Sequence, residues 1–96
     1  MKAQVTWDHG LTFEGTADTG FTVDMGGSTA VGGDDDGFRP MELILTGLAG
    51  CTAMDVISIL KKKRQTVTNF RVTADAQQAD SHPHVFTDIT IHYIIE

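Results

Sequence analysis

One sulfur dominates the candidate chemistry of this sequence. Cys51 is the single cysteine among 96 residues, with Gly47 four residues before it and Gly50 directly before it in an apolar run. Two glycines inside a helix each cost about 1 kcal/mol relative to alanine, so their position beside a thiol suggests that a backbone or a ligand approaches there. The same pattern fits tight helix packing around an inert, buried cysteine. The residues alone leave both interpretations open.

Two groups of polar residues have the composition of ligand sites. Residues 82–84, His-Pro-His, follow Asp80, and we interpret them as a solvated turn because zinc needs three or four converging ligands. The acidic run at 34–37, Asp-Asp-Asp-Gly, lacks the spaced oxygens and the distal glutamate of a calcium loop. Its position before a helix is explained by the helix dipole. We therefore predict no metal and no cofactor.

Strand patterns flank the cysteine on both sides. Alternating apolar residues predict three short strands within residues 1–25, with turns at His9-Gly10 and at residues 18–20. Alternation returns at residues 70–76 and 85–95, which predicts a second hairpin turning near residues 80–83. Residues 26–39 contain five glycines and three consecutive aspartates, so we predict an irregular, mobile surface loop.

A long helix that carries Cys51 is predicted from Pro40 onward. Proline suits the first helical position, and the basic residues 61–64 suit the last turn, where they complement the dipole. A helix of roughly 24 residues would be about 36 Å long. Residues 41–60 are apolar around most of the circumference, which predicts burial nearly all round. A membrane span is disfavoured because Glu42 and Asp55 lie within the segment.

The bulk properties predict one α+β domain, residues 1–96, with the element order β-β-β-α-β-β. A chain this short hides about 60–65% of its unfolded surface, so help from a partner subunit is expected. The net charge of −6 argues against binding to nucleic acid or to an anionic membrane. The single cysteine and the absence of a signal-peptide pattern predict a cytoplasmic location.

Residues 39–64, RPMELILTGLAGCTAMDVISILKKKR, resemble the central-helix signature of the OsmC/Ohr superfamily. They are most similar to its OsmC-like branch, described as redox proteins that regulate disulfide bond formation. The resemblance implies antiparallel strands wrapped on a long central helix, in an intertwined homodimer with active sites at the subunit interface. It also implies that the C-terminal helix and strand of the family fold are absent here.

The same resemblance implies thiol-dependent reduction of organic or hydrogen peroxides in oxidative-stress defence, with Cys51 as the peroxidatic thiol. Three helix residues are expected to line the substrate pocket: Gly47, Leu48 and Met54. Arg39 is the candidate cation for stabilising the thiolate, and Glu42 is a candidate partner. An external dithiol is expected to act as the reductant.

Three departures from the family pattern keep a second function open. The family's resolving cysteine lies in a C-terminal segment beyond this chain, and no arginine precedes Arg39. Met41 stands where the peroxidases have glutamate, and the acid at Glu42 lies about 180° around the helix from the sulfur. The alternative is a non-enzymatic OsmC-like dimer that binds a hydrophobic small molecule or a partner protein. A third interpretation is a truncated chain without a catalytic role.

Overall fold

The computed structural model describes residues 1–78 and 86–96, which fall into two compact units, Met1–Leu43 and Ile44–Glu96. The elements in chain order are β1 (Ala3–His9), β2 (Thr12–Ala17), β3 (Thr22–Met25), α1 (Pro40–Lys62), β4 (Phe70–Gln78) and β5 (Phe86–Ile95). The predicted α+β class and the order β-β-β-α-β-β are therefore confirmed. The predicted single-domain behaviour stays a prediction.

The first unit contains an antiparallel meander in the order β1-β2-β3. Trp7 pairs with Phe13, which in turn pairs with Met25, so large apolar residues stand in register across the three strands. Gly10, at φ +50°, makes the first turn, and a bulge between Trp7 and His9 displaces the end of β1. This bulge sets the position of His9, whose imidazole lies near two aspartates of the loop at residues 26–39.

The acidic loop, residues 26–39, is irregular as predicted except for one short turn, and its mobility stays a prediction. It contains a short 3₁₀ turn, Thr29–Val31, and it is tied back to β3 by the Gly26 N–H to the Phe38 carbonyl and the Phe38 N–H to the Asp24 carbonyl, each at 2.9 Å. Asp35 takes a left-handed conformation at φ +54°. Local hydrogen bonds of this kind hold a segment in place without any apolar periodicity, so the sequence pattern does not predict them.

The C-terminus of α1 lies slightly before the predicted end of the helix at Arg64. The helix ends at Lys62, and Arg64 has a left-handed φ of +57°. The Arg64 N–H donates to the Lys61 carbonyl and the Gln65 N–H donates to the Leu60 carbonyl, each at 3.0 Å. This is the hydrogen-bond pattern of a Schellman motif, in which glycine is the usual left-handed residue. An arginine in that place gives no sequence signal, so the helix was expected to run on to Arg64.

The second unit pairs β4 with β5 in a long antiparallel ribbon, from Phe70 opposite Ile95 to Gln78 opposite Phe86. In contrast to the prediction, no residue of α1 is buried. No apolar side chain among residues 1–78 and 86–96 is buried either. The described residues therefore leave the apolar surface of α1 uncovered.

Candidate active site

The helix that carries Cys51 begins with a side-chain cap. Arg39 precedes the first helical residue, and its backbone N–H donates to Oε1 of Glu42 at 2.7 Å. This is the returning half of a capping box, in which an acid at the third helical position satisfies the N–H of the residue before the helix. Its charge also complements the helix dipole. The structure thus gives Glu42 a capping role, and its predicted role at the thiol stays a prediction.

Cys51 is a free, exposed thiol near the middle of α1. Helical geometry places Ile44, Gly47, Leu48 and Asp55 on the same face. A Cβ built on Gly47 or on Gly50 would meet nothing within 4 Å beyond the helix itself and the adjoining residues. The sulfur is therefore accessible, and the helix surface beside it is open to another molecule. The alternative of an inert, buried core cysteine does not hold for the described residues.

The three predicted pocket residues lie on the exposed surface of the helix. Leu48 is 39% exposed and Met54 is 73% exposed, while Gly47 offers only backbone. Apolar side chains this open can form one wall of a pocket but cannot enclose a substrate by themselves. The pocket stays a prediction, and it needs a second surface to close it.

Arg39 is bound within its own loop. One guanidinium nitrogen donates to the carbonyls of Gly26 and Gly37, at 3.1 and 3.0 Å, and the other donates to the carboxylate of Asp35. These bonds join the end of the acidic loop to the start of the helix. Its predicted role as the cation that stabilises the thiolate is not tested by this geometry.

A polar cluster that the sequence pattern does not predict lies in the first unit. Nε2 of His9 lies 3.0 Å from a carboxylate oxygen of Asp34 and 3.9 Å from one of Asp36. Its Nδ1 lies 3.2 Å from Asp8, and the Thr12 hydroxyl donates to both oxygens of Asp36 at 2.8 and 3.0 Å. Thr12 is itself only 7% exposed. The cluster joins the end of β1 to the acidic loop, and 25 residues separate His9 from Asp34.

The carboxylates raise the pKa of His9 above its ordinary value of 6.5. The hydrogen bond to Asp8 contributes most, followed by the bond to Asp34. Both favour the protonated imidazole because each places negative charge against a ring nitrogen.

The ligand candidate considered from the sequence, residues 82–84 with Asp80, lies outside the described residues.

The strands that precede and follow the Cys51 helix in the sequence agree with the order expected from the resemblance, and comparison with known proteins identifies the family. The family model described as OsmC-like protein matches residues 33–96, which include the acidic residues of the loop, all of α1 and the second sheet. This chain belongs to the OsmC-like family. The recognition made from the helix motif is confirmed.

Individual relatives support the same assignment. Protein YhfA of Escherichia coli K12 is 38% identical over 95 residues, covering 99% of this chain and 68% of that protein. YhfA of Shigella flexneri matches equally well. The chain thus spans about two thirds of the length of these relatives.

Solved structures give the same fold. A structural-genomics structure superposes with TM-score 0.83 at 37% identity, covering 99% of this chain and 67% of that one. A hypothetical protein from Aquifex aeolicus VF5 gives 0.81 at 28% identity, covering 98% and 64%. A candidate osmotic stress induced and detoxification response protein from Psychrobacter arcticus 273-4 gives 0.84 at 14% identity, covering 99% and 69%, and supports the fold alone.

By length and composition, α1 is the one helix in the described part of the chain that could cross a membrane. The core helix of a soluble protein meets the same criterion.

Proposed function

We propose that this protein is a thiol-dependent peroxidase that reduces organic or hydrogen peroxides through Cys51, in defence against oxidative stress. The observation that supports this most directly is the free, exposed thiol on the central helix, inside the region that matches the OsmC-like family.

The reaction balances with a thiol as the reductant. The Cys51 thiolate attacks one peroxide oxygen, the O–O bond breaks, the sulfur becomes a sulfenic acid, and the other oxygen leaves as an alcohol after taking up a proton. An external thiol then attacks the sulfenic acid, forming a mixed disulfide and releasing water. A second thiol equivalent displaces Cys51 and carries the electrons away as a disulfide. One peroxide therefore consumes two thiol equivalents.

The reductant is proposed to be an external dithiol. Cys51 is the only cysteine of the sequence, so a disulfide within this chain does not form. An exposed sulfur suits an external reductant because the attacking thiol must reach it. A dithiol is favoured over a monothiol because its second sulfur completes the exchange intramolecularly.

We further propose that the active molecule is a cytoplasmic homodimer with active sites at the subunit interface. Four large apolar side chains of α1 are between 39 and 73% exposed: Ile44, Leu48, Met54 and Ile59. Burial of such side chains contributes about 1.5–3 kcal/mol each, so a second copy has a large driving force to cover them. A partner surface opposite Gly47 would also supply the missing wall of the pocket.

The test is turnover of cumene hydroperoxide with dihydrolipoamide as the reductant. Wild-type protein is expected to consume many equivalents of peroxide, and Cys51→Ser is expected to fall to the uncatalysed rate. Met25 is a second oxidisable sulfur in β3, outside the predicted pocket, so Met25→Leu serves as the matched control. This control should keep turnover, because oxidation of methionine consumes one equivalent and is not reversed by thiols. Equal turnover by Cys51→Ser would refute the peroxidase.

One observation favours a second candidate function, a non-enzymatic dimer that binds a hydrophobic small molecule or a partner protein. The guanidinium of Arg39, the candidate partner of the thiolate, is bound to Asp35 and to two carbonyls. A fluorescent fatty acid would test this function. Saturable binding that is unchanged by Cys51→Ser, together with no turnover in wild type, would support it over the peroxidase.

A further inference from the structure

The cluster at the end of β1 brings together three side chains that commonly bind metals. His9, Asp34 and Asp36 each present one ligand atom, and these atoms lie within 4.8 Å of one another. All three residues are exposed, so an ion can reach them from solvent. The imidazole makes this more than a group of surface carboxylates, because it adds a nitrogen ligand of fixed orientation.

The distances suit a single ion. Metal–nitrogen and metal–oxygen bonds to such ligands are about 2.0–2.2 Å long, so atoms that share one ion lie roughly 3.0–3.5 Å apart. Nε2 of His9 is 3.0 Å from Asp34 and 3.9 Å from Asp36. A side-chain movement of less than about 1 Å by Asp36 would bring its oxygen to that distance from Nε2 of His9. Water would fill the remaining positions of the ion.

Residues behind the ligands hold them in place. The carboxylate of Asp8 lies 3.2 Å from Nδ1 of His9, so it is placed to accept the Nδ1–H when an ion takes the place of the proton on Nε2. The Thr12 hydroxyl, on a residue 7% exposed, donates to Asp36. A carboxylate behind a ligating histidine is the usual support in protein metal sites.

The ligand types select the class of ion. Magnesium and calcium prefer sets made of oxygen alone, whereas an imidazole favours first-row transition metals. Zinc and manganese both accept one nitrogen with two carboxylates. We infer that His9, Asp34 and Asp36 form a binding site for a divalent transition-metal ion, supported from behind by Asp8 and Thr12. This site is separate from Cys51 and does not depend on the proposed peroxidase activity.

The test uses the full chain after chelation, with Mn²⁺ and Zn²⁺ as the probes. A Cys51→Ser, His82→Ala, His84→Ala background removes the thiol and the His-Pro-His pair as competing ligands. Substoichiometric Mn²⁺ should broaden the amide signals of Gly10, Asp34 and Asp36 first in an ¹H–¹⁵N spectrum. Zinc, measured by competition with a chromophoric chelator, should bind with one equivalent per chain and more tightly than Mn²⁺, following the usual affinity order.

Variants assign the ligands. His9→Ala and Asp34→Asn are each expected to weaken zinc binding at least tenfold, and Asp8→Asn by about tenfold, the lower end for a residue that supports a ligand. Asp18→Asn, another exposed acid, is the control and should change affinity less than twofold. Dispersed amide signals will show that each variant is folded. Manganese broadening spread over all acidic residues, zinc affinity unchanged by His9→Ala, or calcium binding as tight as zinc at the same amides would each overturn the site.

Discussion

The two units of this chain achieve order by different means. In Met1–Leu43, a strand meander and a glycine-rich acidic loop are joined by directional polar bonds, such as Thr12 to Asp36 and Arg39 to Asp35. Both units expose large apolar side chains, such as Trp7 and Phe21 in the first and Ile44 and Met54 in the second, but in Ile44–Glu96 this surface includes that of the long helix. Polar bonds fix a short segment locally, but apolar surface is stabilised only when another surface covers it. The loop of the first unit is thus fixed by its own polar bonds, whereas we propose that a partner covers the exposed apolar face of α1.

The largest effect is expected from a charge placed on the exposed apolar face of α1. Leu48→Glu would place a charge on the exposed face of α1, and we expect it to weaken self-association by roughly 100-fold or more, because apolar burial is lost and a charge must be desolvated. Sedimentation over a range of concentrations would measure this. Leu48→Met keeps volume and polarity and should associate as wild type does. A wild-type chain that stays monomeric at all concentrations would contradict the interpretation.

The space around Gly37 in the first unit differs from the space around Gly47 in the second. A Cβ at Gly37 would lie 2.7 Å from the Asp24 carbonyl oxygen, so Gly37→Ala should lower the free energy of unfolding by about 1–3 kcal/mol. A Cβ at Gly47 meets nothing within 4 Å, so Gly47→Ala should stabilise the chain by up to about 1 kcal/mol through helix propensity. Urea unfolding in the non-associating Leu48→Glu background would measure both. Effects of the same sign would show that the difference in crowding is not real.

A smaller effect is expected from removing one polar bond of the first unit. Thr12→Val removes the hydroxyl that bonds Asp36 and should destabilise the first unit by about 1.5 kcal/mol, the lower end for a bond to a charged group. Thr16→Val is the matched control, since its hydroxyl bonds the Phe21 carbonyl at an exposed position. It should cost less than Thr12→Val in the same urea experiment. Equal losses would mean that the Thr12 bond has no special importance.

The smallest effect is a pH dependence of the first unit. Asp8, and then Asp34, raise the pKa of His9 in the folded state above 6.5, so the protonated imidazole stabilises that state. This contribution is fully present below the unfolded pKa and is lost as pH rises through the folded pKa. NMR titration of the imidazole, with a chelator present, should give a lower pKa in Asp8→Asn, with a smaller decrease in Asp34→Asn. If neither variant lowers the pKa of His9, the hydrogen bonds to Asp8 and Asp34 are not what raises it.

Much of the architecture could be predicted because local periodicity reports it. Apolar alternation located the strands, and Pro40 with the apolar run after it located the start of α1. The helix C-terminus was missed because Arg64 takes a conformation for which glycine is the usual signal. Burial of the helix was also predicted wrongly, since periodicity shows that a face is apolar but not what covers it.

The functional residues divide in the same way. Cys51 could be found because its motif is local and matches a family signature. The His9 cluster could not, because it depends on a bulge in β1 and on the folded acidic loop, which bring together residues 25 positions apart. The bonds of Arg39 within its loop likewise depend on the three-dimensional structure, so no local pattern in the sequence predicts them.

The central claim is that the sulfur of Cys51 reacts with peroxide, and trapping of its first product tests this most directly. Reduced protein is mixed with one equivalent of cumene hydroperoxide and dimedone, without a reductant, and its intact mass is followed over time. We predict one dimedone adduct per chain, located at Cys51 and formed as one equivalent of cumyl alcohol appears. Consumption of peroxide without an adduct at Cys51, or no consumption at all, would contradict the account.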